Sequence, residues 1–123
     1  MLAVGLHAIN VAGGVQGKRV FVSGSGPIGL LVVAAAKILG ASEIVASDLL
    51  EGPLSRAKAL GATGTITIGT DSIPENHFDI VFECSGVARA ISGVLLAVRR
   101  AGTVVQVGML GAGNHEIAIA PLI

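Results

Sequence analysis

Short apolar runs, separated by polar and glycine-rich turns, recur along this chain. Five runs rich in β-branched residues predict strands at Arg19 to Ser23, Glu43 to Ala46, Thr65 to Ile68, Ile80 to Glu83, and Thr103 to Val107. These runs are nearly continuous in hydrophobicity and do not alternate, which is typical of parallel strands covered on both faces. The pattern therefore predicts a buried parallel sheet.

Helix-like segments lie between these strands. Pro27 to Leu39 and Pro53 to Leu60 each begin with proline at the first helical position and end at a glycine, Gly40 and Gly61. A third helix is predicted at about Val87 to Val98. This alternation predicts an α/β doubly wound fold of the Rossmann type, with sheet order 3-2-1-4-5 and helices on both faces.

The connection from the third strand to the fourth departs from that regular alternation. Gly69 to Phe78 contains Pro74 and several turn formers, which predicts a crossover without a helix. With so few helices on that side, we expect an exposed apolar face and an unpaired edge at strand 5. Self-association through the strand 5 side, giving a homo-oligomer, follows as a hypothesis.

Length and composition limit the classes of function. A chain of 123 residues suits one domain, 1–123, in which 1–16 form a helical lead-in. Eight basic and eight acidic residues cancel, which gives no electrostatic reason to expect nucleic acid as a partner. The longest apolar stretch, Ile28 to Ala36, is far shorter than the roughly 20 residues of a membrane span. A small-molecule ligand is the expectation that remains.

The cysteine count bears on the compartment and on metals. Cys84 is the only cysteine, and the N-terminus lacks the pattern of a signal peptide, so a reducing, cytoplasmic location is expected. A structural zinc site built from several cysteines is excluded within this chain. His7, His77 and His115 are scattered without metal-ligand spacing, so no metal site is predicted.

The run Gly24-Ser25-Gly26-Pro27-Ile28-Gly29 follows a predicted strand and opens a predicted helix. Gly24 permits a tight turn, Gly26 lets the backbone approach a pyrophosphate, and Gly29 allows close packing of helix on strand. The helix N-terminus adds amide donors and a positive dipole for an anion. In this context the run predicts a dinucleotide-binding loop, although a plain tight turn would also use such glycines.

Asp48, at the end of the second strand, strengthens this interpretation. A carboxylate about 20 residues after the glycine loop can accept hydrogen bonds from the hydroxyls of the adenosine ribose. It would also repel the 2′-phosphate of NADP, and no basic residue follows it immediately, so NAD is the predicted cofactor. The plainer alternatives for Asp48 are a solvated strand end or a helix cap.

Two further residues with reactive side chains lie at the end of the fourth strand. Cys84 has no evident base partner, so packing is favoured over a role as a nucleophile. Glu83 would face the ligand crevice if that strand is parallel, yet a helix cap or a backbone contact is the favoured explanation. No catalytic residue is predicted.

The ordered series of motifs resembles the medium-chain dehydrogenase/reductase family, particularly its zinc-dependent sorbitol and L-idonate 5-dehydrogenase branch. The resemblance covers nearly the whole chain. Besides the glycine loop, it rests on Val4-Gly5-Leu6-His7-Ala8, Gly17-Lys18-Arg19-Val20, Ala57 to Ala62, Phe78 to Gly86, and Gly102 to Gly108.

The resemblance implies positions for the cofactor. Ile28 would lie behind the nicotinamide ring, Val4 would lie near the same ring, and Asp48 would hold the adenosine ribose. Other segments would line the remaining crevice, namely Cys84, Ser85 and Gly86, and Val107, Gly108 and Met109. His115 to Ile119 is similar to a short edge strand of the family.

The resemblance also implies the activity of a longer parent enzyme. Such an enzyme oxidises a secondary alcohol of a polyol or of a sugar acid such as L-idonate, with NAD accepting hydride and zinc polarising the alkoxide. The zinc ligands would belong to a catalytic domain outside this chain, so we expect the chain alone to bind NAD without turnover. The chain is also expected to end before a sixth strand of the family.

One position departs from the pattern of the family, and three other functions remain open. The family commonly has a basic residue where this chain has Pro53, and Arg56, one helical turn further on, could substitute for it. A zinc-free quinone or enoyl reductase domain is one alternative, which Asp48 disfavours. A non-catalytic NAD-sensing module and an S-adenosylmethionine-dependent methyltransferase would also use this fold.

Overall fold

The computed structural model describes residues 2–109 and 115–121. The helices are α1 (Leu2–Val11), α2 (Pro27–Ile38), α3 (Glu51–Leu60) and α4 (Ala88–Ala97). The strands are β1 (Arg19–Ser23), β2 (Glu43–Asp48), β3 (Gly64–Thr67), β4 (Phe78–Glu83), β5 (Val98–Met109) and β6 (His115–Pro121).

The strands form one sheet in the order β3-β2-β1-β4-β5-β6. The first five are parallel, which confirms the predicted α/β fold and its order 3-2-1-4-5. β6 then runs antiparallel along β5, from Met109 paired with His115 to Thr103 paired with Pro121. The segment predicted as a short strand at His115 to Ile119 is therefore a strand, and it extends two residues further.

The edge predicted to be free is not free. β5 pairs along much of its length with β6, so the prediction of an unpaired β5 edge is wrong. Over the side chains that the structure describes, the expectation of an uncovered apolar sheet face also fails, because Phe21, Val45, Ile66 and Val81 are all buried on that face. α4 supplies Val94 and Ala97 to their cluster, and Ile73 of the helix-free crossover packs against it.

The opposite face carries the larger cluster. Val20 and Val22 of β1 pack there against Val32 and Val33 of α2, and all four side chains are inaccessible to solvent. α1 packs against α2 at very short range, and its Ala8 and Ile9 belong to the same cluster. A Cβ atom at Gly5 would lie only 2.5 Å from the carbonyl oxygen of Leu31, so glycine is required for this approach.

Several element boundaries differ from the prediction by a few residues, and two of them have an identifiable physical cause. α3 begins at Glu51, two residues before Pro53, since proline is tolerated throughout the first turn, where amide hydrogens lack helical partners. β5 begins at Val98, five residues before the predicted Thr103, because its register against β4 shifts between Phe78 and Ile80. Ala101, with φ of 63°, bends the strand within that irregularity.

An ion cluster joins the amino ends of β1 and β4 to the bulge of β5. The carboxylate of Asp79 accepts hydrogen bonds from the backbone N–H of Arg19 at 2.8 Å and from Nε of Arg99 at 2.6 Å. Burial alone would raise the pKa of Asp79, but the hydrogen bonds from Arg19 and Arg99 outweigh it and lower the pKa from 3.8 to about 2. Arg99 lies in β5, beyond the end of α4, and belongs to this cluster.

Over residues 2–109 and 115–121, none of the helices combines the length and the apolar character needed to cross a membrane.

Candidate functional site

The carboxyl ends of four neighbouring strands meet at one edge of the sheet. Ser23 at the end of β1 is in register with Ser47 of β2 and with Glu83 of β4, and Glu83 is in register with Gln106 of β5. The predicted site residues follow directly after these positions. The fold thus brings the glycine loop, Asp48, the turn after β4 and the end of β5 to the same edge, as the sequence predicted.

Two glycines of the loop are required by the protein itself. Gly24 has φ of 94°, and a Cβ atom there would lie 2.7 Å from Cα of Ser85. A Cβ atom at Gly29 would lie 1.9 Å from the carbonyl oxygen of Gly24, which no side chain can tolerate. These two positions therefore let the loop turn sharply and let α2 pack closely on β1.

Gly26 differs from both. Its φ of −73° and ψ of −171° are accessible to any residue, so the backbone does not require glycine. Among the described residues, a Cβ atom at Gly26 would meet nothing within 4 Å. No described part of the chain would be obstructed by a side chain at this position, whereas a ligand lying against the loop would be.

The start of α2 faces the same open space. Gly26 is the N-cap and Pro27 the first helical residue. The first backbone N–H that donates a hydrogen bond within the helix is that of Leu30, to the carbonyl oxygen of Gly26 at 2.9 Å. The backbone N–H groups of Ile28 and Gly29 therefore have no partner within the helix. Together with the helix dipole, these donors can bind an anion such as a phosphate group.

Asp48 is tied to the glycine loop. One carboxylate oxygen accepts a hydrogen bond from the backbone N–H of Ser25 at 2.9 Å, and the other accepts one from Leu50 N–H at 3.0 Å. The Ser25 hydroxyl is buried and donates to the carbonyl oxygen of Ser47 at 3.0 Å, which fixes the loop against β2. Each carboxylate oxygen keeps a lone pair that can accept a hydroxyl group from a ligand.

Sequence reasoning missed the two residues that follow Asp48. Leu49 is 70% exposed and Leu50 is 64% exposed, although both are large apolar side chains. They can offer a flat apolar group a contact surface beside the carboxylate. An apolar pair directly after the acidic residue, at the turn into α3, is the signal that would have identified them.

The turn after β4 lies next to the glycine loop. The backbone N–H of Cys84 donates to the Ser23 carbonyl at 2.8 Å, and Ser85 contacts Gly24. Burial raises the pKa of the Cys84 thiol, and the neighbouring Glu83 carboxylate adds to the effect. Cys84 packs against the larger core cluster, which supports packing over nucleophilic chemistry.

Glu83 is almost completely buried, at 2% exposure. Its Oε1 accepts hydrogen bonds from both the backbone N–H and the hydroxyl of Ser85. Its Oε2 has no hydrogen-bond partner among the described residues. An unpaired buried oxygen of this kind costs about 1–3 kcal/mol, so its retention at a strand end requires an explanation.

The remaining predicted residues are placed by register and packing. Val107 is buried in the larger cluster, and Gly108 and Met109 continue β5 alongside β6. Ile28 is partly buried at the start of α2, and Val4 lies on α1, which packs on α2. Cofactor contacts of these residues stay predictions.

The described histidines do not form a metal centre. His77 lies 2.8 Å from the carboxylate of Glu43 at the amino ends of the strands, and His7 is exposed on α1. No group of three or more His, Cys, Asp or Glu side chains in the described part of the chain is arranged to hold a metal ion.

The profile of a family described as zinc-binding dehydrogenase matches residues 27–123. The chain belongs to this family. The family predicted from the ordered motifs is thereby confirmed.

L-idonate 5-dehydrogenase (NAD(P)(+)) of Escherichia coli is similar to this zinc-binding dehydrogenase chain at 45% identity, covering 90% of the chain and 34% of the relative. Chicken sorbitol dehydrogenase is 43% identical over 99% of the chain and 36% of the relative. The chain thus spans about a third of the length of the relatives it matches.

Solved structures agree with these relatives. The crystal structure of the Escherichia coli L-idonate 5-dehydrogenase superposes with a TM-score of 0.81 over 92% of the chain and 34% of that structure, at 45% identity. A zinc-binding dehydrogenase from Sinorhizobium meliloti, bound to NADP, gives a TM-score of 0.84 at 31% identity, over 92% of the chain and 36% of that structure.

Proposed function

We propose that this chain is the nicotinamide-dinucleotide-binding domain of a zinc-dependent dehydrogenase that acts on a polyol or sugar acid. The observation that carries the proposal is the open space at Gly26. The geometry of the described residues explains glycine at positions 24 and 29 but not at 26, whereas a pyrophosphate lying against the loop explains it.

Different residues of the chain bind different parts of the cofactor. The N–H groups of Ile28 and Gly29, which have no partner within α2, bind the pyrophosphate, and Asp48 accepts the hydroxyls of the adenosine ribose. Leu49 and Leu50 pack against the adenine ring. The backbones of Cys84, Ser85 and Gly86, and of Val107, Gly108 and Met109, line the crevice toward the nicotinamide, with Ile28 and Val4 behind that ring.

NAD, when bound, supplies the hydride acceptor for oxidation of a secondary alcohol. The chain's contribution is to bind the cofactor, to orient the nicotinamide and to exclude water from one side of it. Zinc and substrate binding belong to the part of the relatives that this chain does not span, since the described residues offer no metal centre. The chain alone is therefore expected to bind NAD without oxidising alcohols or polyols.

The substrate class is inferred from relatives. The names of two similar proteins, L-idonate 5-dehydrogenase and sorbitol dehydrogenase, favour a secondary alcohol on a polyhydroxylated chain. Asp48 favours NAD over NADP and disfavours a zinc-free quinone or enoyl reductase. The location is proposed to be cytoplasmic, since that compartment supplies NAD and keeps the single cysteine reduced.

A homo-oligomer is also proposed, with its contact at the β6 side of the sheet instead of the β5 edge. β6 is the outermost strand in the sheet order, and an outer strand presents backbone groups that a second chain can pair with. Sedimentation at tens of micromolar tests this. A dimer is expected, and a monomer throughout that range would contradict it.

A competition titration tests the proposed ligand class against a methyltransferase. NAD is titrated calorimetrically into the chain alone and into the chain saturated with S-adenosylmethionine. Binding of NAD that S-adenosylmethionine does not weaken supports the proposal. Binding of S-adenosylmethionine without binding of NAD would overturn it.

Two other observations would indicate an NAD-sensing module instead. One is a change of the oligomeric state when NAD is added, and the other is a lack of dehydrogenase activity in the full-length parent protein.

A further inference from the structure

The carboxylate of Glu83 lies beneath the site and has no role in the function proposed above. Val81, two residues earlier on the same face of β4, is an ordinary core residue under α4. An apolar residue at position 83 would continue that pattern. Instead, the chain buries a carboxylate with one oxygen unpaired among the described residues.

The other oxygen of Glu83 organises the turn between β4 and α4. Oε1 accepts the backbone N–H of Ser85 at 2.7 Å and also accepts the Ser85 hydroxyl. The oxygen of that hydroxyl in turn accepts the backbone N–H of Val87, the N-cap of α4, at 3.2 Å. One buried oxygen therefore fixes both the backbone and the side chain of Ser85.

Ser85 also contacts the glycine loop directly, at Gly24. The position of a Cβ atom at Gly24 is 2.7 Å from Cα and 2.8 Å from N of Ser85, so the two backbones are in direct contact. A shift of Ser85 by a few tenths of an ångström must move Gly24 or open a gap beneath it. The next residues of the loop are Ser25, which holds Asp48, and Gly26, which faces the open space.

We propose that Glu83 is a positioning residue for the dinucleotide: by holding Ser85 against Gly24, it sets the geometry of the glycine loop without contacting the ligand. This inference rests on the proposed function, since the loop is taken to bind NAD. It predicts that the affinity for NAD depends on an acceptor atom at the position of Oε1 and not on the negative charge of the carboxylate.

The test compares NAD affinity and thermal unfolding in four variants of the full chain. Glu83→Leu removes the acceptor, Glu83→Gln keeps an acceptor without the charge, and Ser85→Ala removes only the hydroxyl. Val81→Ala is the matched control, because it removes core packing from the same face of β4 without touching the turn. Affinities are measured by calorimetry at a temperature where every variant compared is folded.

Glu83→Leu is expected to weaken NAD binding about tenfold, and Glu83→Gln to restore it to within about twofold of the wild type. Val81→Ala should lower the unfolding temperature and leave the NAD affinity unchanged. If Glu83→Leu does not fold, the positioning role is judged from Ser85→Ala, which is expected to weaken binding about threefold.

Several results would overturn the inference while leaving the proposed function intact. One is wild-type affinity in a folded Glu83→Leu or in Ser85→Ala. Another is equal weakening in Val81→Ala, which would indicate a general effect of stability. A Glu83→Gln variant as weak as Glu83→Leu would make charge, not acceptor geometry, the decisive property. Failure of the wild-type chain to bind NAD would overturn both the inference and the proposed function.

Discussion

Asp48 and Ser25 are joined across the gap between β2 and the glycine loop by a hydrogen bond of 2.9 Å from the Ser25 backbone to the carboxylate. The same carboxylate accepts the N–H of Leu50 at 3.0 Å, so its orientation is fixed before any ligand arrives. A group held in this way loses little conformational entropy when it accepts a ribose hydroxyl.

The first prediction concerns cofactor choice. NAD should bind more tightly than NADP, because a 2′-phosphate would approach the Asp48 carboxylate. Asp48→Ser should weaken NAD binding by about 1.5–3 kcal/mol, the worth of one charged hydrogen bond, and should weaken NADP binding less. Calorimetry with both cofactors measures the change in their ratio.

The control for this prediction is Asp79→Asn, which removes a negative charge at the opposite end of the sheet and should leave the ratio unchanged. Equal or tighter binding of NADP by the wild type would contradict the assignment of Asp48. The test is demanding because two similar proteins are linked with NADP: the Escherichia coli L-idonate 5-dehydrogenase is named for NAD(P)(+), and the Sinorhizobium meliloti dehydrogenase structure is bound to NADP.

A second prediction concerns acid stability. The pKa of Asp79 is lowered from 3.8 to about 2 in the folded chain, so its stabilising contribution is complete above pH 3.8 and is lost as the pH falls toward 2. The shift corresponds to about 2 kcal/mol of unfolding free energy near neutral pH. Asp79→Asn should remove this contribution, and denaturant unfolding across the acid range measures it. An unchanged acid profile would show that the ion cluster contributes nothing.

A third prediction concerns the bulge of β5. Ala101 is exposed and has φ of 63°, a conformation that glycine adopts without strain. Ala101→Gly should raise the unfolding free energy by up to about 1 kcal/mol, whereas Ala101→Val should lower it. Thermal unfolding compares the two variants. A higher unfolding temperature for Ala101→Val than for Ala101→Gly would contradict the inference that the positive φ at position 101 is strained for a residue with a side chain.

A fourth prediction concerns Cys84. Because burial raises the pKa of its thiol, the folded chain should resist alkylation by iodoacetamide at mildly alkaline pH. The same chain in denaturant should react completely, which serves as the control. Mass spectrometry measures the modified fraction. Rapid modification of the folded chain would instead indicate an accessible thiolate.

The sequence predicted best what local chemistry determines. β1 has its predicted bounds, and α2 begins at Pro27 as expected. Both boundaries adjoin the glycine loop, where the conformational preferences of glycine and proline are determined within a few residues of sequence. The strand order followed from the alternation of strands and helices. Gly24, Gly29 and Asp48 meet because the order places the ends of β1 and β2 side by side.

Contacts between distant residues, and in one case the shape of a turn, determined the features that sequence reasoning missed. β5 begins early because its bulge is held by Arg99 on Asp79, twenty residues away. The sheet face expected to be open is closed partly by Ile73, whose packing no local pattern reveals. Oε1 of Glu83 accepts two hydrogen bonds from Ser85, and this arrangement depends on the shape of a turn, which the residue types alone do not determine.

Calorimetric titration of NAD into the wild-type chain and the Gly26→Ala variant tests directly whether a pyrophosphate occupies the open space at Gly26. Gly64→Ala is the control, since its new Cβ would make only an ordinary contact, 3.8 Å from Val45, at the far end of β3. The wild type and Gly64→Ala are expected to bind NAD with equal affinity. Gly26→Ala is expected to bind NAD at least about tenfold more weakly, at an unchanged unfolding temperature. Absence of wild-type binding, or equal affinity in Gly26→Ala, would contradict the proposal that the loop binds a pyrophosphate.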